Sequence, residues 1–267
     1  VSTSTATATA AVTAPAAPPP RERSTARAVL RRLPTPLGVG LVLAGLAWHV
    51  SRQDLDLIEQ RSLNSEYLVS RTLQHIELTA VATVLILLIA LPLGVLLTRG
   101  WARPLAGPIL ALASIGQAIP SLGLIVLLAV AFVSLGVTQI ALIAFVLYGV
   151  LPVLRNTIAG LQQVDDSVIE SARGMGMTPG AVLWRIELPL ATPVMLAGIR
   201  TALVITVGTV ALATFIGAGG LGDVISNGIN SSRTLVLVTG SLLVAALALL
   251  LDWLAGIAED LLRPRGV

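Results

Sequence analysis

The chain has 267 residues, of which 55% are apolar before Gly is counted and 12% are charged, with a mean hydropathy of +0.90. Charged residues run at about half of the ~25% found in soluble domains, which excludes an ordinary soluble fold and general disorder and places the chain in a bilayer. Cys and Lys are both absent and the formal charge of +3 rests on Arg alone, so disulfides, thiolate sites, a P-loop Lys and Schiff-base chemistry are excluded.

Residues 1–20 are low-complexity Ala, Thr, Ser and Pro. Such a segment buries too little apolar surface to offset its ordering entropy and is predicted to be disordered. Arg21, Arg23, Arg27, Arg31 and Arg32 follow, then an uncharged run over 33–51. This pattern resembles a secretory signal. The further spans and the long basic segment favour an uncleaved signal anchor. Three units are expected. They are a disordered, then Arg-rich cytoplasmic tail over 1–32, a first membrane helix and outer loop over 33–66, and a transmembrane domain over 67–262.

Further charge-free runs cover 78–98, 104–154, 201–222 and 234–251. One crossing takes about 20 residues, so the second run holds two. The turn between them is expected at 134–138. About six transmembrane helices are predicted, near 34–51, 76–98, 107–133, 138–155, 192–215 and 234–256. Pro34 and Pro36 make the first the weakest. With the N-terminus inside, twelve Arg fall on inner segments and four on outer ones. That bias predicts both termini in the cytoplasm. The basic balance thus follows topology and does not point to nucleic acid. Trp48, Trp101 and Trp253 lie near predicted interfaces, where an aromatic anchor is the plain reading.

One inner loop is long, 155–190. Asp165 is a good N-cap with Asp166 in the first turn, and Ser167 with Glu170 forms a rival capping box. The helix should stop around Gly174 and Gly176. Thr178 can cap a second helix with Pro179 at its first position, expected to end before Pro189. Such a hairpin fits a groove on a soluble partner, or lies as an amphipathic loop on the membrane. The pattern leaves both open.

Glu170, Ser171 and Ala172, then Gly176, then Ile186, Leu188 and Pro189 match the spacing of the EAA…G…I-x-LP signature. The chain therefore resembles the permeases of ABC importers. Ser171 stands where the pattern has Ala. Segments 115–124, 147–157, 170–178, 187–202 and 216–223 are similar to the osmoprotectant subgroup, which serves glycine betaine, carnitine and choline. The resemblance implies an all-α polytopic membrane protein with a type I ABC importer core in a bacterial cell membrane. It implies cytoplasmic ABC ATPase subunits, an extracytoplasmic substrate-binding protein and a second permease copy or paralogue as partners. It implies no enzyme activity in this chain, and no cofactor, metal or nucleic acid. In that family the loop inserts a coupling helix into the ATPase. Asp165, Glu170, Ser171, Ala172, Gly174, Gly176, Ile186, Leu188 and Pro189 would form the contact. A permease for another small nutrient such as methionine is the first alternative. A secondary transporter is remoter, because it needs acidic or His relays at mid-depth.

Other candidates carry weaker signals. Gly217, Gly219 and Gly222, with Gly220 between, formally match G-x-G-x-x-G. A membrane helix precedes them where a dinucleotide site needs a strand, so a turn or re-entrant segment near a gate is expected. Gln117, Pro120 and Ser121 interrupt the third helix and, with Tyr148, are candidates for the translocation path. Arg200 lies within the fifth helix, where a charge is either paired, with Asp252 as one partner, or snorkels to the interface. His75, with Glu77, flanks the outer end of the second helix and reads first as a solvated side chain. The chain has nine aromatic residues, too few in the spans for a quaternary-ammonium cage.

Overall fold

A computed structural model describes residues 33–262; the tail predicted over 1–32 lies outside them, as do Arg263 and Arg265. Among the described residues every regular element is helical. Helix α1 (Pro34–Ser51) begins on a proline, whose missing N–H costs nothing at a helix start. The short α2 (Leu57–Ser62) is closed by a reciprocal capping box between Asp56 and Glu59. Asn64 then caps α3 (Ser65–Leu97) by accepting from the Tyr67 N–H at 2.8 Å. At 33 residues α3 is about 50 Å long, well beyond the ~30 Å apolar slab.

A 3-10 turn at Arg103–Leu105 leads to α4 (Ala106–Ala118) and α5 (Ser121–Ala131). These two meet at 96° across Ile119 and Pro120. Helix α6 (Val137–Gln162) is the central element: 56% of its apolar window is buried, against 28% for α3. After the hairpin α7 (Asp166–Gly174) and α8 (Pro179–Val182), a π turn at Leu183–Glu187 leads into α9 (Leu188–Leu212). A 3-10 turn (Ala213–Ile216), α10 (Gly222–Asn230) and α11 (Thr234–Leu262) complete the order.

The core lies where α3, α6 and α9 meet. Ile86, Ala90, Val153, Leu154 and Ala202 form one buried cluster. Leu78, Ile125, Phe145 and Val210 form another, nearer the 96° bend. Small residues bring the backbones together. A Cβ on Gly198 would stand 2.8 Å from the Pro152 carbonyl, and one on Gly94 would stand 2.6 Å from Thr157 Cγ2.

Two expectations change. Of the six predicted crossings, four are helices long and apolar enough to span a membrane, and the bent α4–α5 pair makes a fifth if counted as one span. Helix α1 falls short by composition, since Pro34, Pro36, His49 and Ser51 dilute its 18 residues. The second hairpin helix also does not end before Pro189. It runs on, so that Pro179–Ile216 forms one 38-residue helical span. The Leu188 N–H bonds to the Leu183 carbonyl five residues back. That π geometry shifts the bonding register just before Pro189, which has no N–H to donate.

Candidate functional site

The α7–α8 hairpin is built from local signals. Asp165 Oδ1 accepts from the Ser167 N–H at 2.8 Å, so Asp165, not Ser167, caps α7. The Ser167 hydroxyl, and then its N–H, hold the Asp165 carboxyl below its ordinary value. Ser171 Oγ donates to the Ser167 carbonyl at 2.7 Å, which occupies the hydroxyl that an Ala would lack. On α7 only Ala172 is buried, while Val168, Glu170, Ser171 and Gly174 face outward. The helix closes with a bond from the Met177 N–H to the Ala172 carbonyl, with Gly176 in the left-handed region at φ +85°. Nothing lies within 4 Å of where a Gly176 Cβ would point. Thr178 Oγ1 then accepts from the Ala181 N–H and caps α8.

Ile186, Leu188 and Pro189 are half-buried where the hairpin rejoins the body. Glu187, between them, is 4% exposed. Its two oxygens accept from both terminal nitrogens of Arg99, at 2.5 and 3.3 Å. Arg99 follows the end of α3, and its Nε donates to the Val95 carbonyl at 3.2 Å.

The 96° bend and the middle of α6 share their hydrogen bonds. Pro152 lies inside α6 and has no N–H, so the Tyr148 carbonyl four residues earlier loses its helical donor. Gln117 Nε2 supplies one at 2.6 Å. The Tyr148 hydroxyl in turn donates to the carbonyl of Ile119, where α4 has ended. Gln117 and Tyr148 are thus brought together. Pro120 and Ser121 open α5, with Pro120 at the N-cap.

The Gly-rich segment is a clamped loop. Gly217, Gly219 and Gly220 all have positive φ. Gln74 Oε1 accepts from the Gly220 N–H at 3.0 Å, and Gln74 Nε2 donates to the Ala218 carbonyl at 3.3 Å. His75, expected at a solvated interface, is instead fully buried. Its Nδ1 accepts from the Leu221 N–H at 3.2 Å, so Nε2 carries the proton and donates to the Val207 carbonyl at 3.0 Å. Arg71 pairs with Asp223 at 3.0 Å, and Asp223 also accepts from the Thr214 hydroxyl at 2.6 Å. Gly222 opens α10 beyond the loop.

Arg200 and Asp252 meet as a two-point pair, with Nη2 to Oδ2 at 2.5 Å, and Glu259 lies 3.8 Å from Arg200. About a third of each paired side chain stays exposed. Among the described residues no group of three His, Asp or Glu side chains could hold a metal ion.

Residues 90–265 match the family model described as the binding-protein-dependent transport system inner membrane component. The chain belongs to this family. Among the relatives of this inner membrane component is the choline transport system permease protein OpuBB of Bacillus subtilis, 40% identical over 79% of this chain and 95% of the relative. Another is the osmoprotectant import permease protein OsmW of Salmonella typhimurium, 40% identical over 80% of this chain and 100% of the relative. Among solved structures, an inward-facing form of the MetNI methionine ABC transporter is similar, with a TM-score of 0.64. It is 25% identical and covers 74% of this chain and 96% of that one.

For a transport component of this family, the polar links between helices carry information that motif matching did not reach. Arg71, Gln74, Arg99, Glu187 and Asp223 escaped the sequence reading. Glu187 had a local signal, since it sits inside the Ile186–Pro189 stretch at the start of an apolar helix. Gln74 had none, because its partners lie 144 and 146 residues away.

Proposed function

We propose that this membrane component is the permease subunit of an ATP-driven importer for quaternary-amine osmoprotectants of the choline, carnitine and glycine betaine class. The observation that carries the substrate class is the 40% identity to the choline and osmoprotectant permeases over about four fifths of the chain. The α7–α8 hairpin supports the mechanism. It is capped, exposed and apolar enough at Val168 and Met175 to fill a groove on a cytoplasmic ATPase. ATP-driven closure of two ATPases pulls on two such hairpins and reorients the spans, which opens the path inward. Asp165, Glu170, Ser171, Gly174 and Gly176 form the inserted face, the buried Ala172 packs behind it, and Ile186, Leu188 and Pro189 lie at its base.

The aromatic side chains support a separate, extracytoplasmic binding protein as the site of recognition. Phe145 is wholly buried and the Tyr148 hydroxyl is committed to Ile119. Phe132 and Phe215 alone cannot build a cage around a quaternary ammonium group. Leu112, Ile115, Leu127 and Val130 are exposed on α4 and α5, a surface suited to lipid and to a second permease copy. Both termini and the hairpin face the cytoplasm, as the Arg distribution favours.

A second reading, methionine, has the structural likeness to the methionine transporter in its favour. Uptake distinguishes the two. Cells lacking their own osmoprotectant uptake are given this chain with its ATPase and binding protein, and labelled choline, carnitine, glycine betaine and methionine are followed at high osmolarity. Quaternary-amine uptake that Gly176→Asp abolishes supports the proposal. Methionine uptake alone transfers the assignment to the second reading.

A further inference from the structure

We propose that Arg99 and Glu187 are positioning residues of transport, a tie that delivers movement of the α7–α8 hairpin to α3 and through α3 to the Gly217–Gly222 loop. The inference rests on the hairpin being the ATPase contact, as proposed above.

Three observations carry it. First, Glu187 is buried, and Arg99 binds it at two points. The two-point contact fixes geometry, because displacement of the half-exposed Arg99 leaves the buried Glu187 carboxylate desolvated and alone. Second, each partner is anchored in a helical element. Arg99 is bound back to the last turn of α3 through the Val95 carbonyl at 3.2 Å and the Thr98 hydroxyl at 3.0 Å. Glu187 ends the π turn through which the hairpin becomes α9, and π turns of this kind interrupt the regular helical register. Third, the far end of α3 grips the Gly loop. Gln74 binds the Gly220 N–H, His75 binds the Leu221 N–H, and Arg71 pairs with Asp223. Helix α3 is therefore fastened by side chains at both ends, at places about 24 residues and roughly 36 Å apart along its axis. The hairpin has a covalent route into α9. The Arg99–Glu187 pair gives it a second route, into α3.

The test uses the complete complex with its ATPase in lipid nanodiscs. Amide hydrogen exchange is read with and without ATP and vanadate, which trap the ATPase closed. In the native chain both the hairpin (165–178) and the loop amides of Gly220 and Leu221 respond to trapping, the latter by roughly tenfold. In Glu187→Gln and Arg99→Gln the hairpin still responds and the loop response is lost. The exchanged pair R99E/E187R regains it. Arg99→Gln, on the half-exposed partner, carries the test if Glu187→Gln does not assemble. A loop that responds in Glu187→Gln as in the native complex overturns the proposal, and so does a native loop that does not respond. An intact exchanged pair that regains nothing assigns the loss to packing and overturns it too. A hairpin that ignores trapping in the native complex defeats the ATPase-contact reading, and this proposal falls with it.

Discussion

The molecule has two glycine turns with the same backbone requirement and opposite surroundings. At the hairpin Gly176 takes φ +85° with nothing near its missing Cβ. At the other turn Gly220 takes φ +80°, and a Cβ there would stand 3.2 Å from His75 Nδ1. The first turn is completed by its own caps and presents its outer face to solvent. The second is completed by side chains of α3, over distances along the chain of more than 140 residues. The contrast teaches that a left-handed glycine alone says little about role. What stands behind it separates a surface offered to a partner from a segment clamped within the chain.

The largest effect that tests the contrast is at Gly176. Gly176→Asp should leave the protein in the membrane while uptake falls by about tenfold or more. Gly176→Asn should lose less, because Asn and Asp both tolerate the left-handed region and only Asp adds a charge to the contact face. Full uptake and unchanged co-purification with the ATPase in Gly176→Asp would refute the open-face assignment. Next comes His75→Leu, which strips partners from the buried Leu221 N–H and Val207 carbonyl. Leaving one buried group unpaired costs about 1–3 kcal/mol, so thermal unfolding should come earlier and the Leu221 amide should exchange faster. An unaltered Leu221 amide would show that the loop is held without α3.

Smaller effects calibrate the two. Arg200→Leu and Asp252→Asn should each lower the folded yield, by about 1 kcal/mol once the exposure of the pair is allowed for. The double variant should recover part of the loss. Equal yield and transport in all three would make the pair incidental. The smallest effect belongs to Asp165. Its carboxyl lies below the ordinary value, so its contribution to the start of α7 is complete above the unfolded carboxyl's pKa of about 3.9 and is lost as pH falls through the lower folded value. Exchange protection at Ser167 should therefore hold from neutral pH down to about 4 and then decline. Asp165→Asn should remove that pH dependence. A decline beginning near pH 6 would assign the protection to some other group.

The hairpin was legible because its determinants are local. Asp165 and Thr178 are oxygen-bearing caps within three residues of the N–H groups they receive, and the left-handed stop uses a glycine. The π turn was not legible. Pro189 signalled a break, and the structure absorbs that proline by shifting the bonding register one turn earlier. His75 was misjudged for a different reason: its distance from the apolar run suggested an interface, whereas α3 extends beyond the run and the Gly loop folds over it. The interruption at Pro120 was read, but its counterpart was not. The signal that could have found it was Pro152, which orphans the carbonyl of an aromatic residue four positions earlier. Helix α1 shows the limit of hydropathy alone, since a charge-free run with two prolines at its start barely misses the composition of a span.

The exchange between the bend and α6 has an energetic consequence. Gln117 repairs the carbonyl that Pro152 exposes, and Tyr148 repairs the carbonyl that the bend exposes at Ile119. Replacing Pro152 with a residue that bears an N–H makes the Gln117 amide redundant. Replacing Gln117 first leaves an acceptor stranded at membrane depth, where an unmet polar group is expensive. The two positions are therefore coupled: Gln117→Leu should cost more stability beside Pro152 than in a Pro152→Ala background.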